Sequence, residues 1–340
     1  MSSLPAHRHG ALRRLYRSSP RLRRSVRLAK NHLTFELVRL AMWHIGRRPL
    51  DDALVLADRI GDAILWVSPG TRRLALEHLT LAFGDALSPA ARERIVRACF
   101  RNVARCFIEV VKFDAIRAHL DDYVTAEGRE NVEAALQQQK GAIVITGHVG
   151  NWELLAAYFA LKGLPVAAIA RRIYAPRLNQ LLVDFRSRNG VQTILRESPA
   201  SSREILSVLR NNGLLAMVID QDTQVPSVSV PFFGRRARTP AGAAALALRR
   251  DLPILAAFAQ RRPGGGHRLT VTPPLHIERS GDRKRDTIEL TRLLNATVEE
   301  RIRANPAEWV WWHRRWRHGP TPRLDLDAEV QYSAAKETPR

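Results

Sequence analysis

The 340-residue sequence predicts an α/β fold: an α/β sandwich with a mostly parallel central sheet, preceded by N-terminal helices. Three observations predict it. From about residue 122 short apolar runs alternate with helical stretches, and strand–helix–strand alternation implies a largely parallel sheet covered on both faces. Residues 31–118 read as helical instead. The apolar share, 45%, is ordinary for a globular protein, and a chain of this length can bury an ample core.

The elements follow in order. Residues 1–30 carry nine basic side chains and no acidic one, which predicts a basic, flexible arm. Residues 31–118 form a helical, membrane-facing region packed on the core. Within it, SPAARERIVRACFRNVARCFIEVVK (88–112) opens with Ser88 as cap and Pro89 at the first helical position. Residues 119–318 are expected to form one α/β domain. Its expected strands are YVTAEG, GAIVIT, LPVAAIA, VQTIL, GLLAMVID, LPILAAFAQ and HRLTVTPPL. Helices are expected at 130–139, 151–162, 176–189, 201–211, 240–250 and 286–304, the fifth with Thr239 as cap and Pro240 at its start. Residues 319–340, with Pro, Asp and Lys, read as a disordered tail.

The formal charge of +21 favours polyanionic partners: nucleic acid, anionic lipid, acidic carrier proteins or phosphorylated substrates. The two cysteines, Cys99 and Cys106, are seven residues apart on one helix face and read as buried free thiols. No signal peptide is evident, because no apolar run follows the early basic tract. The stretch 33–67 is too broken by Glu36, Arg39, Arg47, Arg48, Asp51 and Asp52 for a clean membrane span, but its apolar pieces suit lying on a membrane or against the core.

The sequence GHVGNWELL (147–155) follows the strand GAIVIT directly. In open parallel sheets ligands collect beyond the carboxyl ends of strands, and His148 falls there. The helix start that follows offers backbone N–H groups to an anion and favours Glu153 ionised and His148 neutral, which suits a general base. Gly147 and Gly150 permit close approach. Alone, this is an ordinary strand-to-helix turn. Three more stretches supply context: DQDT after the strand GLLAMVI, with Asp220 and Asp222; VPFFGRRARTPAG, with Arg235, Arg236 and Arg238 beside two aromatics; and WVWWHRRWR at 309–317.

In this order, with ARR at 170–172 and RRLALEHLTLAFGD at 72–85, these motifs resemble the lipid A biosynthesis acyltransferase family over roughly residues 30–318. That family includes bacterial late acyltransferases and relatives that acylate phosphatidylinositol mannosides. His78 and Gly84 depart from its pattern, and the arginine-rich arm stands where lipid A members usually carry a clearer hydrophobic anchor. The resemblance implies a glycerolipid-acyltransferase-like fold and matches His148 and Glu153 to the family's H-x4-D/E motif.

The implied reaction moves a fatty acyl chain from an acyl carrier protein or acyl-CoA thioester to a hydroxyl of a lipid A precursor. The alternative acceptor is a phosphatidylinositol mannoside or another glycolipid. An aliphatic hydroxyl needs a base, so His148 is the catalytic candidate, with Glu153 orienting its ring and Asp220 and Asp222 competing for that role. Candidate substrate-binding residues are Arg171, Arg172, Asn151, Asp222, Arg235 and Arg238. Arg171 and Arg172 either grip a phosphate or face solvent. With no G-x-S-x-G elbow and the cysteines on a separate helix, direct transfer is expected. WVWWHRRWR is open between core packing, a membrane or substrate contact, and stacking on single-stranded nucleic acid. No metal or other cofactor and no nucleic-acid partner is expected; the expected location is the cytoplasmic side of the inner membrane, peripheral or monotopic. The rival class, a basic nucleic-acid-binding protein, has no need of a strand-end histidine with carboxylates.

Overall fold

A computed structural model describes residues 19–172 and 175–317. The first part of the expected arm and the expected tail at 319–340 lie outside the described residues. Four long helices come first: α1 (Pro20–Gly46), α2 (Leu50–Val67), α3 (Pro69–Phe83) and α4 (Pro89–Val111). Helix α1 begins inside the tract assigned to an arm, with Pro20 at its first position, where a missing N–H costs nothing. In α4 the expected cap is present: Ser88 Oγ accepts from Ala91 N at 3.2 Å. Helix α2 packs closely on α4 through Ala53, Ala57 and Gly61, all buried. A Cβ on Gly61 would sit 2.7 Å from Arg101 Cα, so only glycine allows this approach. Ion pairs edge the contact, Asp58 with Arg105 at 2.6 Å and Asp62 with Arg97 and Arg101 at 2.7 and 2.6 Å.

Two short helices, α5 (Phe113–Ala118) and α6 (Leu120–Tyr123), lead into the sheet domain. There β1 (Val124–Glu127), α7 (Arg129–Leu136), β2 (Ala142–Thr146), α8 (Trp152–Leu161), β3 (Val166–Ala170), α9 (Pro176–Arg188), β4 (Val191–Leu195), α10 (Ser201–Arg210) and β5 (Leu214–Val218) alternate as expected. A hairpin, β6 (Ser227–Phe232) and β7 (Arg235–Pro240), precedes α11 (Gly242–Arg250), β8 (Ile254–Arg261), β9 (His267–Val271) and α12 (Arg283–Ala304). The seven-stranded sheet runs β1-β9-β8-β2-β5-β3-β4, with only β8–β9 antiparallel. It is α/β and mostly parallel. Apolar clusters fill both faces, as a buried parallel sheet requires.

One local expectation fails. Thr239 and Pro240 do not open a helix but end β7; the cap of α11 is Ala241. The period of RRART is two, burying Ala237 and Thr239 and exposing Arg236 and Arg238. Phe233 and Gly234 form the two-residue turn with φ of 53° and 67°, the geometry of a type I′ hairpin. WVWWHRRWR, left open by the sequence, is not helical. Trp309 and Trp311 are 1% and 0% exposed, so these rings are core and not an interfacial belt.

Candidate active site

His148 and Asp220 come from neighbouring parallel strands. The register pairs Thr146 of β2 with Val218 of β5, so two residues further on the chain both side chains stand at one level beyond the sheet edge. Asp220 is fully buried and His148 is 24% exposed at its side chain. His148 Nδ1 donates to Asp220 Oδ1 at 2.8 Å, and His148 N donates to Oδ2 at 2.8 Å. The indole of Trp309 donates to the same Oδ2 at 2.7 Å. Burial works to raise the Asp220 pKa, but the His148 charge and these hydrogen bonds outweigh it and hold the carboxyl at about 2. An ionised carboxylate on Nδ1–H leaves the Nε2 lone pair free in the neutral ring. That is the arrangement of a general base with its orienting partner.

Glu153 does not take that part. Its carboxylate is clasped by Arg186 in a two-pronged pair at 2.8 and 2.6 Å, with both side chains nearly buried. Glu153 lies two residues past the cap Asn151, roughly half a helical turn on, and its carboxylate meets Arg186 of α9. The expectation that Glu153 orients His148 is therefore corrected: the pair fixes α8 against α9. Asn151 is likewise spent internally. Its Oδ1 caps α8 by accepting from Leu154 N, and its Nδ2 donates to Glu109 at 2.8 Å. The turn before the helix is held by backbone bonds: Gly150 N donates to Glu308 O and Asn151 N to Ala259 O. Gly150 is required there, since its φ is +62° and a Cβ would meet Ala259 O at 1.9 Å.

The other candidates are separated. Arg171 and Arg172 follow β3, which is two strands from β2 and next to β5. They line an exposed cleft of about 660 Å³ with Arg196, Glu197 and Gln224. Asp222 is buried between Arg238 at 4.0 Å and Arg317 at 3.8 Å. Arg235 donates to Leu81 O at 3.0 Å, tying the hairpin to α3.

Beside the dyad, Trp152 meets the His148 ring edge-on at 4.8 Å. The same Trp152 lines a groove of about 470 Å³ between α1, α4 and α9, walled by Val38, Phe107, Val110, Leu181 and Phe185. No sequence signal beyond amphipathic spacing marked it. Sequence reasoning also missed the support beneath the turn. Glu109, fully buried, accepts from Arg261, His267, Tyr123 and Asn151. Burial alone would raise its pKa, but His267 and Arg261 hold it well below the carboxylate range. A glutamate in the apolar run CFIEVV was the available clue. His313 is the other omission. Burial pushes it down to about 4, Asp220 opposes, and His148, Arg315 and Arg317 reinforce the lowering, so it is neutral near neutral pH.

Residues 21–318 match the family described as bacterial lipid A biosynthesis acyltransferase. The chain belongs to that acyltransferase family. A phosphatidylinositol mannoside acyltransferase of Mycobacterium tuberculosis is 28% identical over 191 residues, 56% of this chain and 58% of that protein. Another of the same description from Mycolicibacterium smegmatis is 24% identical, over 65% of this chain and 72% of that one. The lipid A biosynthesis palmitoleoyltransferase of Escherichia coli is 22% identical over 84% of this chain and 91% of its own. The match to the first relative thus spans little more than half of that protein. In this lipid A acyltransferase family member, the departure His78 is a packing residue: Nδ1 donates to Trp311 O at 2.7 Å. Arg315 of HRRW is also structural, fully buried and donating to Thr239 Oγ1 at 2.7 Å and Asn295 Oδ1 at 3.1 Å.

Proposed function

We propose that the chain is a membrane-surface O-acyltransferase that moves a fatty acyl group from a carrier-protein or CoA thioester to a hydroxyl of a lipid A precursor. The carrying observation is the His148–Asp220 pair, set beside an apolar groove through Trp152. In this account His148 Nε2 takes the hydroxyl proton as the oxygen attacks the thioester carbonyl, and Asp220 stabilises the imidazolium. The C–O bond forms, the C–S bond breaks, and the thiolate leaves to be reprotonated. The groove takes the acyl chain. Neither cysteine is suited to an acyl-enzyme: burial pushes Cys99 up to about 12 and raises Cys106 further, and the thiols donate to Trp309 O and Gly150 O. Direct transfer follows.

Arg171 and Arg172 remain candidates for a substrate or donor phosphate, because they edge a cationic cleft on the same side of the sheet. A membrane-surface location is supported by α1, where Leu33, Leu37, Leu40 and Trp43 lie exposed at helical spacing, and by Trp66 of α2, 84% exposed. Among the described residues no helix is long and apolar enough to cross a membrane. The proposed location is the cytoplasmic side of the inner membrane, peripheral or monotopic. A phosphatidylinositol mannoside or other glycolipid is the second acceptor reading, favoured by the higher identity to the mycobacterial relatives. Mass spectrometry of lipids from cells with and without the protein tests both. The expected result is loss of one acyl chain from a lipid A precursor. Loss from an inositol-based glycolipid selects the second reading, and an unchanged lipid profile with full expression defeats both.

A further inference from the structure

Both members of the His148–Asp220 pair are gripped by one short segment that follows α12. Glu308 O accepts from Gly150 N, and Trp309 forms an antiparallel bridge with Val149, the residue after His148. The segment is pinned from behind. Cys99 of α4 donates to Trp309 O at 2.7 Å, and His78 of α3 donates to Trp311 O at 2.7 Å. From this fixed position the indole of Trp309 donates to Asp220 Oδ2 at 2.7 Å.

That bond lies where water cannot replace it, since Trp309 and Asp220 are both buried. Oδ1 takes the ring Nδ1–H, while Oδ2 accepts the His148 backbone N–H and the indole N–H. The two donors on Oδ2 draw carboxylate charge away from the ring, and in surroundings of low polarity such bonds act strongly. Loss of the indole N–H leaves more negative charge facing the imidazole and favours its protonated form. Trp309 carries no charge at any pH, so its replacement changes only the hydrogen bond and the packing. The charged and titratable groups around the pair are Asp222, His313, Arg315 and Arg317, with Arg238 of β7 4.0 Å from Asp222. From α8 the ring meets Trp152, and Glu153 of that helix is held by Arg186. From α12 comes the apolar Val298, which a Cβ on Gly147 would meet at 2.9 Å.

We propose that Trp309 is a positioning residue for the dyad, and that its indole N–H sets the pH at which His148 becomes available as a base. This rests on the acyl-transfer reading and adds to it the residue that tunes the base. Trp311 supplies the comparison. It is equally buried and its ring lies 4.6 Å from that of Trp309, but its indole donates to Pro306 O and not to the dyad.

The test is a nuclear magnetic resonance titration of the His148 ring in the full-length protein without substrate, its signal assigned by loss in His148→Ala. In Trp309→Phe the titration midpoint should rise by about one pH unit relative to wild type. The acidic limb of the kcat/KM profile should move with it, so that the rate below the limb falls roughly tenfold further than the rate above it. Trp311→Phe, a packing loss without a bond to Asp220, should lower the melting temperature and leave the midpoint in place. Folding of each variant is checked by near-ultraviolet circular dichroism. If Trp309→Phe does not fold, benzothienylalanine at position 309 replaces it, with sulfur for the N–H and nearly the same shape. A midpoint that stays or falls in a folded Trp309 variant, or one that rises equally in Trp311→Phe, overturns the proposal. The expected shift in a protein whose wild type shows no thioester turnover would uphold the tuning and defeat the acyl-transfer reading alone.

Discussion

His148 and Asp220 are 72 positions apart, and strand register alone brings them within 2.8 Å. Glu153 is five residues from His148 in sequence, yet its helix turn gives it to Arg186. The two carboxylates therefore predict different phenotypes. Asp220→Asn changes what the ring can donate to and favours the wrong tautomer, so turnover falls by roughly 10²–10⁴. Glu153→Gln leaves Arg186 nearly buried without its charge partner, so stability falls by about 3 kcal/mol while the turnover of the remaining folded protein falls far less. Thermal melts run beside kinetics separate the two; a stable Glu153→Gln protein with abolished turnover would return Glu153 to the dyad. His148 was legible in the sequence because a strand end followed by a helix start is a local pattern. Its partner was only narrowed to three carboxylates, because pairing between β2 and β5 is a long-range fact that no local spacing encodes.

Elements were read well where a single period governs. All seven strands of the sheet and the capped α4 follow from apolar runs and from Ser88-Pro89. The hairpin β6–β7 was not foreseen, since its turn is Phe-Gly and its Thr239-Pro240 mimics a helix start. The Trp-rich segment was left open between packing and contact, and its rings pack without a helix, against Phe232, Phe233 and His78. This segment also carries a pH dependence. Burial pushes Glu308 up to about 7, with Glu109 adding to the effect, while Arg261 opposes it. For an acid whose folded pKa lies above its unfolded value of about 4.5, the folded state binds the proton more tightly. Stability is then full below pH 4.5 from this group and declines as pH rises toward 7, by up to about 3 kcal/mol. Glu308→Gln should flatten that decline between pH 5 and 8 in denaturant titrations. A variant with the wild-type slope would assign the dependence to another group.

Over the whole molecule, the proposed attachment to an anionic bilayer would use the charge of +21 and the exposed leucines of α1 together, one by headgroup attraction and one by burial of apolar area. Replacing Leu33, Leu37 and Leu40 together by Glu should abolish flotation with anionic vesicles even at low salt, while the wild-type protein loses only part of its binding as salt rises. Flotation unchanged by the triple substitution would transfer attachment to α2 or to residues outside the described structure. The composition favoured an anionic partner but could not say which face would meet it, because exposure is decided by the packing of α2 on α4 and by how little of α1 is covered. The central proposal is that His148, held by Asp220, removes the proton from the acceptor hydroxyl. The direct measurement is single-turnover consumption of palmitoyl thioester in membranes containing the native acceptor, by wild type, His148→Ala and Asp220→Asn proteins of matched fold. Both variants should be slower by roughly 10²–10⁴, with no acylated protein detected by intact mass at any time. Wild-type rates in folded His148→Ala, or an acyl adduct that forms and chases to the acceptor, would contradict it.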